Sequence, residues 1–122
     1  MGIENNEAIL ATTWNDAAIQ KVKAWVGSLP TEEQSLFAFI PALVNNKVTI
    51  VLAPDGSKKG NQWSEAEQIA KLRERFIQLL HEFDYMDGSS PFDWIEVGYG
   101  EFGQKVLRGN CKNRYSDKEY EK

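Results

Sequence analysis

The spacing of apolar and polar positions divides the chain into two helical stretches and several strands. From Asp16 to Val26 the residues Ile19, Val22, Trp25 and Val26 recur at helical spacing, followed by Leu29. Asn15 is placed to cap the first turn, Asp16 favours its positive end, and Trp14 is placed to staple onto Ile19. Gly27 and Pro30 end the helix. A second helix opens at Ser64-Glu65-Ala66-Glu67, which has the form of a capping box. Its apolar stripe is Ile69, Leu72, Phe76, Leu79, Leu80 and Phe83.

Between the helices, the apolar runs on either side of Asn45-Asn46 read as a hairpin, because Asn tolerates the positive φ that a two-residue turn demands. That turn pairs Leu43 with Val48 and Phe39 with Leu52, and it puts Phe37, Phe39, Leu43, Val48, Ile50 and Leu52 on one face. Pro41, which has no N–H to donate, then belongs to an edge strand or a bulge. Ala8 to Thr13 reads as a short strand and Asp55 to Asn61 as a loop. The run Trp94 to Tyr99, with Ile95, Val97 and Tyr99 on one side, pairs with Lys105 to Arg108 as a second hairpin. The order (β)-α-β-β-α-β-β predicts an α+β two-layer sandwich: an antiparallel sheet of four or five strands with two amphipathic helices on one face. Residues 1–108 form a single domain in this reading, and 109–122 a polar tail, disordered or a short surface helix.

Composition bounds the function. A chain of 122 residues with 42% hydrophobic side chains can bury a real core. No apolar run approaches the roughly 18 residues that cross a bilayer, so no membrane association is expected. The segment Met1 to Glu7 lacks the features of a secretion signal, and Asn6 stands where myristoylation wants Ser or Thr, so the expected location is the cytoplasm. One cysteine, Cys111, cannot close an internal disulfide, and one histidine, His81, leaves the usual zinc motifs incomplete. No metal or other cofactor is expected. A net charge of -4 argues against a protein that coats nucleic acid.

The distribution of charge says more. Residues 1–108 hold 15 acidic and 10 basic side chains, and no Lys or Arg falls between Arg75 and Lys105. Inside that gap lie Glu82, Asp84, Asp87, Asp93, Glu96 and Glu101, interleaved with Tyr85, Met86, Phe92, Trp94 and Tyr99. Glu82 and Asp84 sit near the negative end of a helix, where carboxylates are mildly unfavourable. Acidic groups among aromatic anchors suit a surface that steers a basic partner. The expected function is therefore a small acidic, non-enzymatic protein-binding module, of the inhibitor, immunity-protein or adaptor kind. Its candidate contact residues are Glu82, Asp84, Tyr85, Asp87, Asp93, Trp94, Glu96 and Glu101.

Other constellations are weaker. Gly98-Tyr99-Gly100-Glu101-Phe102-Gly103 spells a glycine-rich phosphate pattern, but a strand rather than a helix is expected after it, so the glycines belong to a tight hairpin turn. The alternative function is a small-ligand-binding or weakly hydrolytic domain built on that hairpin with Asp93, Glu96 and Glu101. Asp55 to Gly60 lacks the ending of a phosphate-binding P-loop. Lys112 and Arg114 beside Cys111 are placed to lower its thiol pKa, but an ordinary free thiol is the expected reading. Lys58, Lys59, Trp63 and Arg114 are the residues a nucleic-acid binder would use. A homodimer through the edge strand of Pro41, or through Trp63, is compatible with the pattern.

Overall fold

The first strand, β1 (Ile3–Thr13), is the longest and lies in the middle of the sheet. After it come α1 (Asp16–Gly27), the short α2 (Thr31–Gln34), β2 (Phe37–Pro41) and β3 (Val48–Leu52). The two-residue β4 (Lys58–Lys59) precedes α3 (Ser64–Glu82), and β5 (Phe92–Gly100) and β6 (Gly103–Gly109) complete the order. The computed structural model describes residues 3–56, 58–59 and 64–111. Five strands run antiparallel in the order β2-β3-β1-β5-β6, and β4 pairs with the start of β1. The chain is thus an α+β sandwich, with β1 longer and more central than its short apolar run suggests.

Alternation along the strands sets the inner layer. Ile9 and Ala11 of β1, Ile50 and Leu52 of β3, and Phe92 and Trp94 of β5 share one face and are buried. They pack against Ala18, Val22 and Val26 of α1 and Leu72, Phe76, Ile77 and Leu80 of α3. Each such large side chain contributes about 1.5–3 kcal/mol by leaving water. Phe76 anchors the layer: its ring stacks on Trp25 at 6.0 Å and meets Phe37 edge-on at 5.3 Å, tying α3 to α1 and β2.

The helix ends are partly as expected. Asn15 caps α1 by accepting from the Ala18 N–H at 3.1 Å. Trp14, however, stays 62% exposed and staples nothing down. Gly27 is the last helical residue and not a left-handed cap; Ser28 closes the helix with its N–H to Trp25 and Val26, and the Gln34 amide donates to Leu29 O at 2.8 Å. α3 begins at Ser64 as its pattern predicts, although the Ser64 side chain that would make the capping box with Glu67 lies outside the described ones.

Three further details depart from the sequence reading. The β2–β3 register is Phe37↔Leu52 and Phe39↔Ile50, shifted by two residues from the two-residue turn. Both asparagines do adopt positive φ, 67° and 51°, but Ala42 N–H bonds Lys47 O at 2.8 Å, so the loop is Leu43 to Asn46. A shift of two preserves each strand's faces, but it moves Leu43 out of the strand to a fully exposed tip. Pro41 lies opposite Val48 on the edge strand, next to the hydrogen-bonded Ala42–Lys47 pair, so its missing N–H costs no ladder bond. Lys58 and Lys59 form β4 where a loop was expected.

The third difference is at the end of the chain. Gly109 closes β6, where a Cβ would come within 2.9 Å of Trp94 O. Asn110 then continues the pairing through its side chain: Nδ2 donates to Phe92 O at 2.8 Å and Oδ1 accepts from Trp94 N at 2.9 Å. The tail expected from Gly109 onward therefore begins no earlier than residue 112, and residues 112–122 lie outside the described ones.

Among the described residues, no helix lies on the other face of the sheet. Its rows follow from the register. Ile40, Thr49, Thr12 and Asp93 lie side by side, then Ala38, Val51, Leu10 and Ile95, then Ala8, Val97 and Val106.

Candidate protein-binding surface

The connection between α3 and β5 is an ordered loop with its base closed. Phe83 packs on Phe92 with ring centroids 5.3 Å apart. Tyr85 N–H donates to Ser89 O at 2.7 Å, and Gly88 N–H to Tyr85 O at 2.9 Å. Gly88 has φ +88°, a conformation that other residues rarely adopt. Asp87 Oδ1 accepts from both the Ser89 hydroxyl (2.6 Å) and the Ser89 N–H (2.9 Å). Those bonds, the hydroxyl's first, hold the Asp87 carboxyl below its ordinary pKa. Asp84 Oδ2 lies 3.0 Å from His81 Nδ1. Tyr85 and Met86 are left exposed on this frame, Met86 completely.

Topology brings two other connections to the same end of the sheet. Thr13 is opposite Val48 on one side and Phe92 on the other. The Leu43–Asn46 loop, the Trp14–Asn15 link and the loop ending at Pro91 therefore all leave the sheet together. Buried Thr13 fastens two of them: its hydroxyl donates to Pro91 O at 2.8 Å and accepts from Asn15 N–H at 3.1 Å. Trp14, Leu43, Val44, Tyr85 and Met86 all point large apolar surfaces into solvent from this end. Asp84, Asp87 and Asp93 are exposed among them.

The candidate contact residues divide. Glu82, Asp84, Tyr85, Asp87 and Asp93 are exposed at or beside this end. Trp94 and Glu96 do not belong to the surface, being 3% and 2% exposed. β5 turns Phe92, Trp94 and Glu96 toward the helices, and leaves Ile95, Val97 and Tyr99 on the open face. Trp94 meets the His81 ring edge-on at 5.7 Å. Glu96 is neutralised by Arg108 Nε at 2.7 Å and Arg73 Nε at 3.7 Å, and these arginines also pair with Glu74 and Glu7. Glu101 is exposed, but at the opposite end of β5, about 26 Å from Asp93 at strand rise.

The chemistry considered for the Gly98–Gly103 hairpin does not assemble. Gly103 has φ +113° and opens β6, so the third glycine leads into a strand and its neighbours' N–H groups serve the ladder. A shallow recess of about 220 Å³ lies there, lined by Glu7, Gly98, Phe102 and Lys105 among others. Asp93 and Glu96, three apart on a strand, face opposite sides of the sheet, and Glu101 lies beyond its end. Among the described residues no three His, Cys, Asp or Glu side chains gather as a metal site. Burial and the nearby Asp93 carboxylate push the Cys111 thiol up, not down. Lys112, Arg114 and Trp63 lie outside the described residues, as do the side chains of Lys58 and Lys59.

Sequence reasoning missed Trp14, Leu43 and Val44 as surface groups. The one available signal was Asn45-Asn46, whose positive φ marks the loop tip beside Leu43 and Val44. Among the described residues no helix is long and apolar enough to cross a membrane. Comparison of the chain with models of known families, with curated proteins and with solved structures finds no significant match.

Proposed function

We propose that this chain is a non-enzymatic protein-binding domain that docks a basic partner on the end of the sheet formed by residues 14–15, 42–47 and 83–91. The observation that carries the reading is the convergence of five exposed apolar side chains, Trp14, Leu43, Val44, Tyr85 and Met86, from three separate connections. Isolated exposed hydrophobics need no explanation; a cluster held on pinned loops does. Tyr and Trp are common anchors at protein interfaces, with carboxylates around them setting the sign of the partner. Asp84, Asp87 and Asp93 supply that sign, as part of the stretch from 76 to 104 that has no Lys or Arg.

The test is capture from the native lysate with immobilised wild-type chain, Leu43→Ser/Met86→Ser and Asp84→Lys/Asp87→Lys in parallel. A basic protein should be retained by the wild type, released as salt rises past the range where charges are screened, and lost from both variants. Retention that ignores salt and both double substitutions would sink the proposal.

A further inference from the structure

We infer that the open face of the sheet is a self-association surface, on which a second copy of this chain packs face to face. The face is apolar across its middle rows, between the Thr12–Thr49 row and the Asn6–Tyr99–Gln104 row. Leu10, at its centre, is 39% exposed, with Val51 and Ile95 beside it and Ile40 and Val106 toward the two edges, at 54% and 60%. This is an unusual amount of uncovered β-branched and leucine surface for a chain in which 26% of residues are charged.

Three observations select a copy of the same chain as the occupant. The first is charge. Each copy carries -4, so two copies repel wherever their carboxylates meet. Among the described side chains of the Ile40–Asp93, Ala38–Ile95 and Ala8–Val106 rows the only charged one is Asp93, at one end, with Lys47 beyond that end opposite Ala42. A basic partner would find only Asp93 to pair with here, whereas a like-charged copy can pack on the Leu10 and Ala8 rows without opposing charge against charge. The second is polarity. The outward hydroxyls of Thr12 and Thr49 are bonded to each other at 2.8 Å, so a partner that excludes water from them leaves one hydroxyl donor, rather than two, to be satisfied.

The third is size. Strands of 11, 5, 5, 9 and 7 residues, spaced about 4.8 Å apart at about 3.3 Å per residue, make a face of roughly 600 Å². Two such faces together bury about 1,200 Å², the lower bound of stable specific interfaces. Two identical sheets also share one twist, so they stack in the aligned manner of β-sandwiches with their side chains interleaved. The C-terminal segment 112–122 is a poor competitor, because it holds more charged than apolar side chains.

The experiment is sedimentation equilibrium on the full chain up to about 200 µM, a range that detects weak dimers. The wild type should approach twice 13.9 kDa. Leu10→Glu should remain monomeric throughout. Val106→Lys, near the rim and already 60% exposed, should keep its far-UV circular dichroism and weaken association at least about tenfold. The second variant protects the test if Leu10→Glu folds poorly. A wild type that stays monomeric overturns the inference, including one that dimerises only after residues 112–122 are removed. A dimer unmoved by both substitutions, as edge pairing through β2 would give, also overturns it.

Discussion

On β5, Phe92, Trp94 and Glu96 point under the helices while Asp93, Ile95 and Val97 point away from them, and the whole sheet repeats that division. Both faces are largely apolar. The inner one carries the large aromatics and a carboxylate neutralised by two arginines; the outer one carries aliphatic and threonine side chains across its middle, with Asp93 at one end and the Asn6–Tyr99–Gln104 row at the other. An aromatic layer needs helices to fill the space above it. A largely aliphatic layer with few charges suits a second sheet instead. The two faces therefore differ in what can cover them more than in how apolar they are.

Removing bulk from each face should show the difference most clearly. Phe76→Ala takes away a fully buried ring wedged against Trp25 and Phe37, and should cost about 3–5 kcal/mol in urea denaturation. Leu10→Ala on the open face should cost about 1 kcal/mol or less when measured dilute enough to keep the chain monomeric, because Leu10 is partly solvated already. Equal losses would mean that the open face is covered within one molecule.

The next effect concerns the charged corner of the inner face. Arg108→Ala leaves the Glu96 carboxylate buried with only the longer Arg73 contact, and should destabilise by about 3 kcal/mol. Glu96→Met removes the buried charge itself. Arg108 keeps Glu74 and Arg73 keeps Glu7, so this change should cost at most about 1 kcal/mol. The prediction lies in the asymmetry, readable from the midpoints of two urea curves. A reversed order would show that Glu96, rather than its desolvation, stabilises β5 against α3.

These contrasts also explain what could be read in the chain beforehand. The helix of Leu72, Phe76 and Leu80 was legible because its apolar stripe has one period and one side. The α+β order was legible because the elements alternate clearly. The faces of β5 were not. Period-two alternation says which residues travel together, but Ile95, Val97 and Tyr99 are as apolar as Phe92 and Trp94, so pattern alone cannot say which set turns inward. That choice is made by β1, paired along β5, whose Ile9 and Ala11 lie under the helices. The contact surface was legible only in its acidic part. Trp14, Leu43 and Val44 reach it from distant segments, through a register that no local signal encodes.

The smallest effect expected lies at the end of the sheet, where the two faces meet. Asp87 titrates below the usual carboxylate range because its ionised form accepts two bonds from Ser89, the hydroxyl's being the larger cause. Ser89→Ala removes the hydroxyl and leaves the N–H, so the Asp87 midpoint should rise toward, without reaching, the ordinary value of about 3.9. The sign follows from linkage: a carboxyl whose folded pKa is depressed adds stability above its unfolded pKa and loses it as pH falls through the folded one. Asp87 is fully exposed, so global stability should hardly register the change. A carboxyl-detected NMR titration will. A midpoint that does not move in Ser89→Ala would mean that the hydroxyl bond does not persist in solution, and that the turn presenting Tyr85 and Met86 is held by its backbone bonds alone.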